Sequence, residues 1–195
     1  MARFNLIENY IYLYQLDAYL ILPVYPDRLT DSLGSTFAST NALARTAPIY
    51  SYSYSGPRTV TVTLELNRDL INETNINNDS FSDKVISIGD DYIDTLVNYL
   101  QAMALPAYKA QEASAKTVNP PMVAVRFGNT LFVKGIVSGN ITLYWSGGVG
   151  KDGKYKDISL SFTVLETDPQ DADSIAKWGS FRGLETALTK GLYRA

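Results

Sequence analysis

The stretch from Ile49 to Leu66 constrains the fold more than any other part of the chain. It reads IYSYSYS, then Gly56–Pro57–Arg58, then TVTVTLEL. Tyr50, Tyr52 and Tyr54 fall on one face of the first run, with Ser51, Ser53 and Ser55 on the other. In the second run Val60, Val62, Leu64 and Leu66 share a face, and Thr59, Thr61, Thr63 and Glu65 take the opposite one. Side chains of a strand alternate between its two faces. A strict period of two therefore predicts two half-buried strands, broken at Gly–Pro and neighbouring one another in a sheet. The Thr face is left to water or to an interface, because a period does not say what covers a face.

Similar signals recur along the chain. Residues 10–25 (YIYLYQLDAYLILPVY) read as one or two strands ending at Pro23 and Pro26. After Pro120–Pro121, MVAVRF predicts a strand, Gly128–Asn129 a turn, and LFVKGIV a further strand in which Gly135 marks a bulge or a close approach. Ser138–Gly139–Asn140 predicts a turn, followed by ITLYW. A glycine-rich loop, SGGVGKDGKYK, leads to DISLSFTVLE, with Ile158, Leu160, Phe162 and Val164 on one face. Asp168–Pro169 ends the series.

Helical spacing is confined to roughly Asp90–Ala104, where Ile93, Leu96, Val97, Leu100 and Met103 or Ala104 recur. Asp90 and Asp91 sit in the first turn, where the helix dipole favours negative charge, and Pro106 ends the run. Residues 27–47 are rich in Ser, Thr and Ala and predict a loop or extended arm. Residues 67–84 and 107–119 predict polar connections. The tail from 170 to 195 is weakly helical and carries Trp178, Phe181, Leu184, Leu188 and Leu192. The fold predicted is mainly β (α+β): an antiparallel barrel or sandwich with one helix packed against a side. Its parts are an N-terminal strand and arm segment at 1–47, a β domain at 48–168, and a helical tail at 169–195.

Composition narrows the chemistry. The 195 residues include no Cys and no His. This excludes disulfides, thiolate zinc sites, cysteine nucleophiles, Ser-His-Asp chemistry and imidazole acid–base catalysis. With 17 Lys+Arg against 20 Asp+Glu, a net charge of -3 argues against nucleic-acid binding driven by bulk charge. Tyr is the outlier, at 14 against 7 Phe and 2 Trp, and suits strands and interfaces. The N-terminal segment has one early positive charge, Arg3, and its apolar stretch is broken by Glu8, Asn9, Gln15 and Asp17. No export leader or membrane span is expected, so the chain is expected to be made in the cytoplasm.

Individual motifs have plain readings. Residues 147–154, GGVGKDGK, fail the phosphate-loop pattern, because Asp152 follows Lys151 and Trp145 stands where the first glycine belongs. Gly and Asp–Gly chemistry predicts a hairpin tip instead. Asp168, Asp171 and Asp173 lack the glycine and distal glutamate of a calcium loop. Asp90, Asp91 and Asp94 sit where a helix start wants acids, which accounts for them without glycosidic chemistry. The glycosylation triplets at Asn72, Asn78 and Asn140 carry no meaning without export. The Tyr50, Tyr52 and Tyr54 stripe predicts a core or assembly interface ahead of a sugar- or base-stacking platform. No catalytic, cofactor or metal site is expected; the residues alone lead to an assembling β-rich domain.

The order of segments carries a resemblance. LPVYPDRLTD is followed by APIYSYSYSGPRTVTVTLELNRD and by the helix DDYIDTLVNYLQAMALP. Then come PPMVAVRFGNTLFVKGIVSGNITLYW and a Gly-Lys loop leading to ISLSFTVLET. Over about residues 20–168 this resembles the tube-like N-terminal domain of phage-tail and contractile-injection baseplate hub proteins, which often carry a LysM module behind it. Phe127–Gly128 matches that family's pattern, while Phe132–Gly135 has one residue more than its usual spacing. No LysM-like segment follows residue 168, and the Tyr-rich segment 1–25 is additional.

The resemblance implies a virion structural protein: a hub or tube-initiating ring between tail tube and baseplate, homo-hexameric, touching neighbouring tube and baseplate proteins. DNA would pass its lumen without being recognised. A main tube or tail-completion protein is the alternative of the same fold, and a carbohydrate-binding β-sandwich the alternative of another class. Residues 27–47 and the Gly-Lys hairpin at about 145–157 are the expected contact arms. The expected interaction residues are Tyr50, Tyr52, Tyr54, Trp145, Lys151, Lys154 and Lys156.

Overall fold

A computed structural model describes residues 9–22, 24–41, 43, 46–75, 92–106, 120–128, 131–168 and 171–176. Among them the chain is mainly antiparallel β. The strands are β1 (Asn9–Leu13), β2 (Ala18–Ile21), β3 (Arg28–Ser32), β4 (Ser35–Thr40), β5 (Ile49–Ser55), β6 (Thr59–Asn67), β7 (Met122–Phe127), β8 (Leu131–Val149) and β9 (Tyr155–Glu166). The helices are α1 (Arg68–Asn75), α2 (Tyr92–Ala102) and α3 (Ala172–Ala176). Seven strands form one sheet in the order β2-β1-β7-β8-β9-β6-β3, and β4 and β5 form a separate two-stranded sheet. The edge strands β2 and β3 have no ladder between them among the described residues.

One face of the large sheet is apolar and covered by helices. Ile11, Leu13, Val60, Val62, Leu64, Val123, Val125, Val133, Leu160 and Val164 form one core with Ile71 of α1 and Ile93, Leu96, Val97 and Leu100 of α2. The Tyr92 hydroxyl donates to the Ile21 carbonyl, so α2 is tied to the β2 edge as well as packed. The other face divides in two. Towards β2 and β1 it is aromatic: Tyr12 lies 4.4 Å from Tyr19 and 4.8 Å from Tyr14 between ring centroids, with Phe132 buried beneath. Towards β9, β6 and β3 it is hydroxylated, with Thr30, Thr61 and Thr163 side by side in register. The Thr61 and Thr163 hydroxyls hydrogen-bond at 3.1 Å.

Several expectations need correction. β5 and β6 are not paired with one another. β6 lies between β9 and β3, whereas β5 pairs with β4 off the main sheet and has no half-buried face. Residues 27–47 contain β3 and β4 rather than a plain loop, because β6 and β5 supply the ladders that a Ser/Thr-rich sequence does not advertise.

The polar connection after β6 begins with a second flanking helix, α1. Asn67 caps it by accepting from the Leu70 N–H at 2.9 Å, and Ile71 anchors it in the core. The turn expected at Ser138–Gly139–Asn140 is a bulge. β8 runs straight through, and Ser138 and Thr142 oppose Thr163 and Ser161, so β8 takes four steps against two on β9. Gly139 supplies the positive φ, 75°, that the bulge needs. Gly135 is a close approach, as expected: a Cβ there would lie 1.8 Å from the Leu165 carbonyl oxygen. Asp90, Asp91, residues 107–119 and residues 177–195, with their Trp178, Phe181, Leu184, Leu188 and Leu192, lie outside the described residues.

Candidate functional site

Two projections carry the expected interaction residues, and they are built differently. The first is the β4–β5 ribbon. β3 and β6 pair out to Ser32 and Thr59, and the same two chain segments resume pairing at Ser35 and Ser55 as β4 and β5. Between them lie Leu33–Gly34 and Gly56–Pro57–Arg58, bridged where the Gly56 N–H donates to the Gly34 carbonyl at 2.9 Å. Pro57 withholds an N–H, which suits the break in the ladder between the main sheet and the β4–β5 pair.

Arg58 fixes the base of the ribbon. It is 2% exposed. Its Nε and Nη2 donate to the two Asp31 carboxylate oxygens at 2.9 and 3.1 Å, and Nη1 faces the Phe132 carbonyl at 3.4 Å and Glu166 at 3.7 Å. A planar guanidinium with this fork geometry holds β3, β6, β8 and β9 at one point.

Beyond that anchor every ribbon residue is exposed. Tyr50, Tyr52 and Tyr54 are 68%, 60% and 61% exposed, and Phe37 joins their face opposite Tyr52, 5.9 Å between ring centroids. Among the described residues the tyrosine stripe is therefore not part of the core. Phe37 is a residue that sequence reading missed: a lone aromatic in a Ser/Thr run has no period to reveal it.

The second projection is the distal part of the β8–β9 hairpin. Tyr144 and Trp145 are exposed on opposite faces of β8. The tip spans Gly150 to Lys154, closed by Gly150 N–H to the Lys154 carbonyl at 2.8 Å, and it joins two strands, not a strand and a helix.

The three tip lysines part company. Lys151 is exposed. Lys154 instead pairs with Asp94 on α2, and Lys156 with Asp69 on α1 at 2.8 Å. Arg68 joins this clasp, donating to Asp94 at 2.8 Å and to the Tyr155 carbonyl at 3.1 Å, and Asn67 donates to Asp157 at 2.6 Å. Burial raises the Asp94 pKa, but the hydrogen bonds from Lys154 and Arg68 outweigh it and hold the carboxyl below its ordinary value. The β9 side of the hairpin is therefore strapped to the helices, and Asp94 is engaged as a structural acceptor.

Tyr50, Tyr52 and Tyr54 thus stand together on the ribbon, and Trp145 and Lys151 stand apart from them on the hairpin. Near the β1–β2 turn, burial and then the Asp17 carboxylate push the Tyr12 hydroxyl up to about 12. Among the described residues no group of three or more acidic side chains is placed to hold a metal ion, and no helix is long and apolar enough to cross a membrane. Among the described residues the aromatic ribbon lies outside the buried core. No family model and no curated protein matches the chain.

Proposed function

We propose that the chain is a structural component of a phage tail or a related contractile injection machine, forming a hub or tube-initiating ring between tail tube and baseplate. The observation that carries this reading is the β4–β5 ribbon. It presents an aromatic face at 60–68% exposure and is anchored to the body by a buried, bidentate arginine. A rigidly based, uncovered strand pair is suited to a neighbour, not to the chain's own core. The segment order described above supplies the tail-specific part of the reading, and a sheet with helices on one face suits a tube wall. In this reading the Ser/Thr face of β9, β6 and β3 lines the lumen, where mostly hydroxyl side chains, with Arg28 and Glu65 the charges among them on β3 and β6, let DNA pass without holding it. The protein works in the virion, with no cofactor and no chemical step.

Negative-stain microscopy over a concentration series, with solution mass in parallel, tests this. Six-fold rings with a central hole are expected. A main tube or completion protein of the same fold is separated by copy number per virion, since an initiator occupies about one ring. The exposed tyrosines also favour a second reading, a glycan-stacking platform. A monomer at every concentration that binds glycans, and loses them in Tyr50→Ala and Tyr52→Ala without unfolding, would replace the ring reading with that one.

A further inference from the structure

Among the described residues β2, β3, β4 and β5 each have one side with no strand beside it, as does β8 beyond Ile136. Two uncharged edges among these open where a neighbouring strand stops short. The first is β8 beyond Ile136. β7 pairs with Leu131–Ile136 only, while β9 accompanies β8 on its other side as far as Val149. Pro120 and Pro121, directly before β7, keep that strand from extending along β8, since proline has no N–H to give a ladder. Residues 137–149 contain no Asp, Glu, Lys, Arg or Pro. Soluble proteins protect long edges with such residues, with bulges or with a cover. Here only the irregularities near 138–142 and 146–149 interrupt the edge, and Tyr144 and Trp145 between them are exposed.

The second open edge is β5. β4 pairs with one side of it. On the other side β9, which accompanies β6, stops at Glu166, whose N–H donates to the Arg58 carbonyl at 2.9 Å. Arg45 is the single charged residue between Leu33 and Pro57. A two-stranded ribbon by itself is marginal in water and gains from a third strand.

We propose that β5 of one copy adds as a strand to the open β8 edge, residues 137–149, of a second copy. A two-fold pairing of β8 with β8 would leave β5 bare, and β5 with β5 would leave β8 bare. One head-to-tail contact covers both edges. It brings two neutral segments together with no charge to desolvate, and sets the tyrosine stripe beside Tyr144 or Trp145. Such a contact repeats from copy to copy, closing into a ring or running on as a fibre. The inference deepens the self-assembly reading above by naming the joint, and it is separable from the ring itself.

The absence of cysteine makes a direct test available. Ser53→Cys protein is mixed with protein carrying one cysteine at each position in turn from Asn140 to Ser146, and oxidised gently. Paired strands bring Cα atoms to about 4.5–5.5 Å, inside disulfide reach. The expected result is a mixed disulfide dimer whose yield alternates along 140–146, because successive β8 residues face opposite sides. Tyr144→Lys should abolish self-association while leaving the monomer folded.

Equal yields at all positions, or a dominant Ser53→Cys homodimer, overturn the proposal. Six-fold rings without the mixed dimer overturn this joint and leave the ring standing. A mixed dimer whose products are open fibres supports the joint and contradicts the ring.

Discussion

Strands β5 and β6 are separated by three residues and share a strict period of two. Yet every residue of β5 is exposed, while β6 buries Val60, Val62, Leu64 and Leu66 to 2% exposure or less. The difference lies in what repeats. β6 repeats aliphatic side chains, each gaining about 1.5–3 kcal/mol from full burial, and α1 and α2 lie over them. β5 repeats tyrosines, whose hydroxyls demand partners when buried and are better served at an interface. Gly56–Pro57 lets the chain leave one environment for the other, and Arg58 holds the boundary. A period of two specifies a strand; the residue type decides whether the molecule's own core or another surface covers it.

Substitutions from the boundary outward break or sharpen that contrast. Arg58→Ala has the largest expected effect, because it strips Asp31 and Glu166 of their cation in a buried setting. About 3–5 kcal/mol of unfolding free energy should be lost in denaturant titration. A loss below about 1 kcal/mol would mean that the ribbon base is held by something else.

Leu64→Ala on β6 comes next, at about 2–5 kcal/mol, the range for a core leucine. Asp94→Asn should cost less, roughly 0.5–1 kcal/mol, since the side chain is 43% exposed and water screens its pairs. Its signature is in pH. The folded pKa of Asp94 lies below the ordinary 3.8, so its contribution is present above pH 3.8 and fades as pH falls through the folded value. The Asn variant should show a flatter acid limb in a pH series of thermal melts. An unchanged limb would show that the clasp contributes nothing there.

Tyr52→Ala on β5 is the smallest: within about 0.5 kcal/mol in the monomer, with self-association weakened in sedimentation. A core-sized loss from Tyr52→Ala would erase the distinction between the two strands.

Much of the β architecture was legible because alternation is a local signal. β6, β7 and β9 stand where their periods put them, within a residue or two. α2 was legible from Ile93, Leu96, Val97 and Leu100. β3 and β4 were not, because RLTDS and STFAST owe their strand state to partners far along the chain. α1 was hidden by its polarity, although the Asn67 cap was a usable sign. Gly139 read as a turn because glycine with positive φ serves bulges and turns alike, and the unbroken run of β9 decides between them.

Of the expected contact residues, the tyrosine stripe was legible as a face but not as an exposed one. Lys154 and Lys156 looked free only because Asp94 and Asp69, which hold them, lie 60 and 87 residues away. Arg58 had no pattern around it to mark it as the anchor.

Amide hydrogen exchange, read segment by segment in dilute and concentrated protein, separates a strand covered by its own core from one covered by a neighbouring copy. Residues 60–66 are expected to be protected in both conditions. Residues 49–55 should exchange fast when dilute and slow markedly as copies associate, together with residues 137–149. Protection of 49–55 in the dilute monomer, or unchanged fast exchange there once assemblies have formed, would contradict that difference in cover.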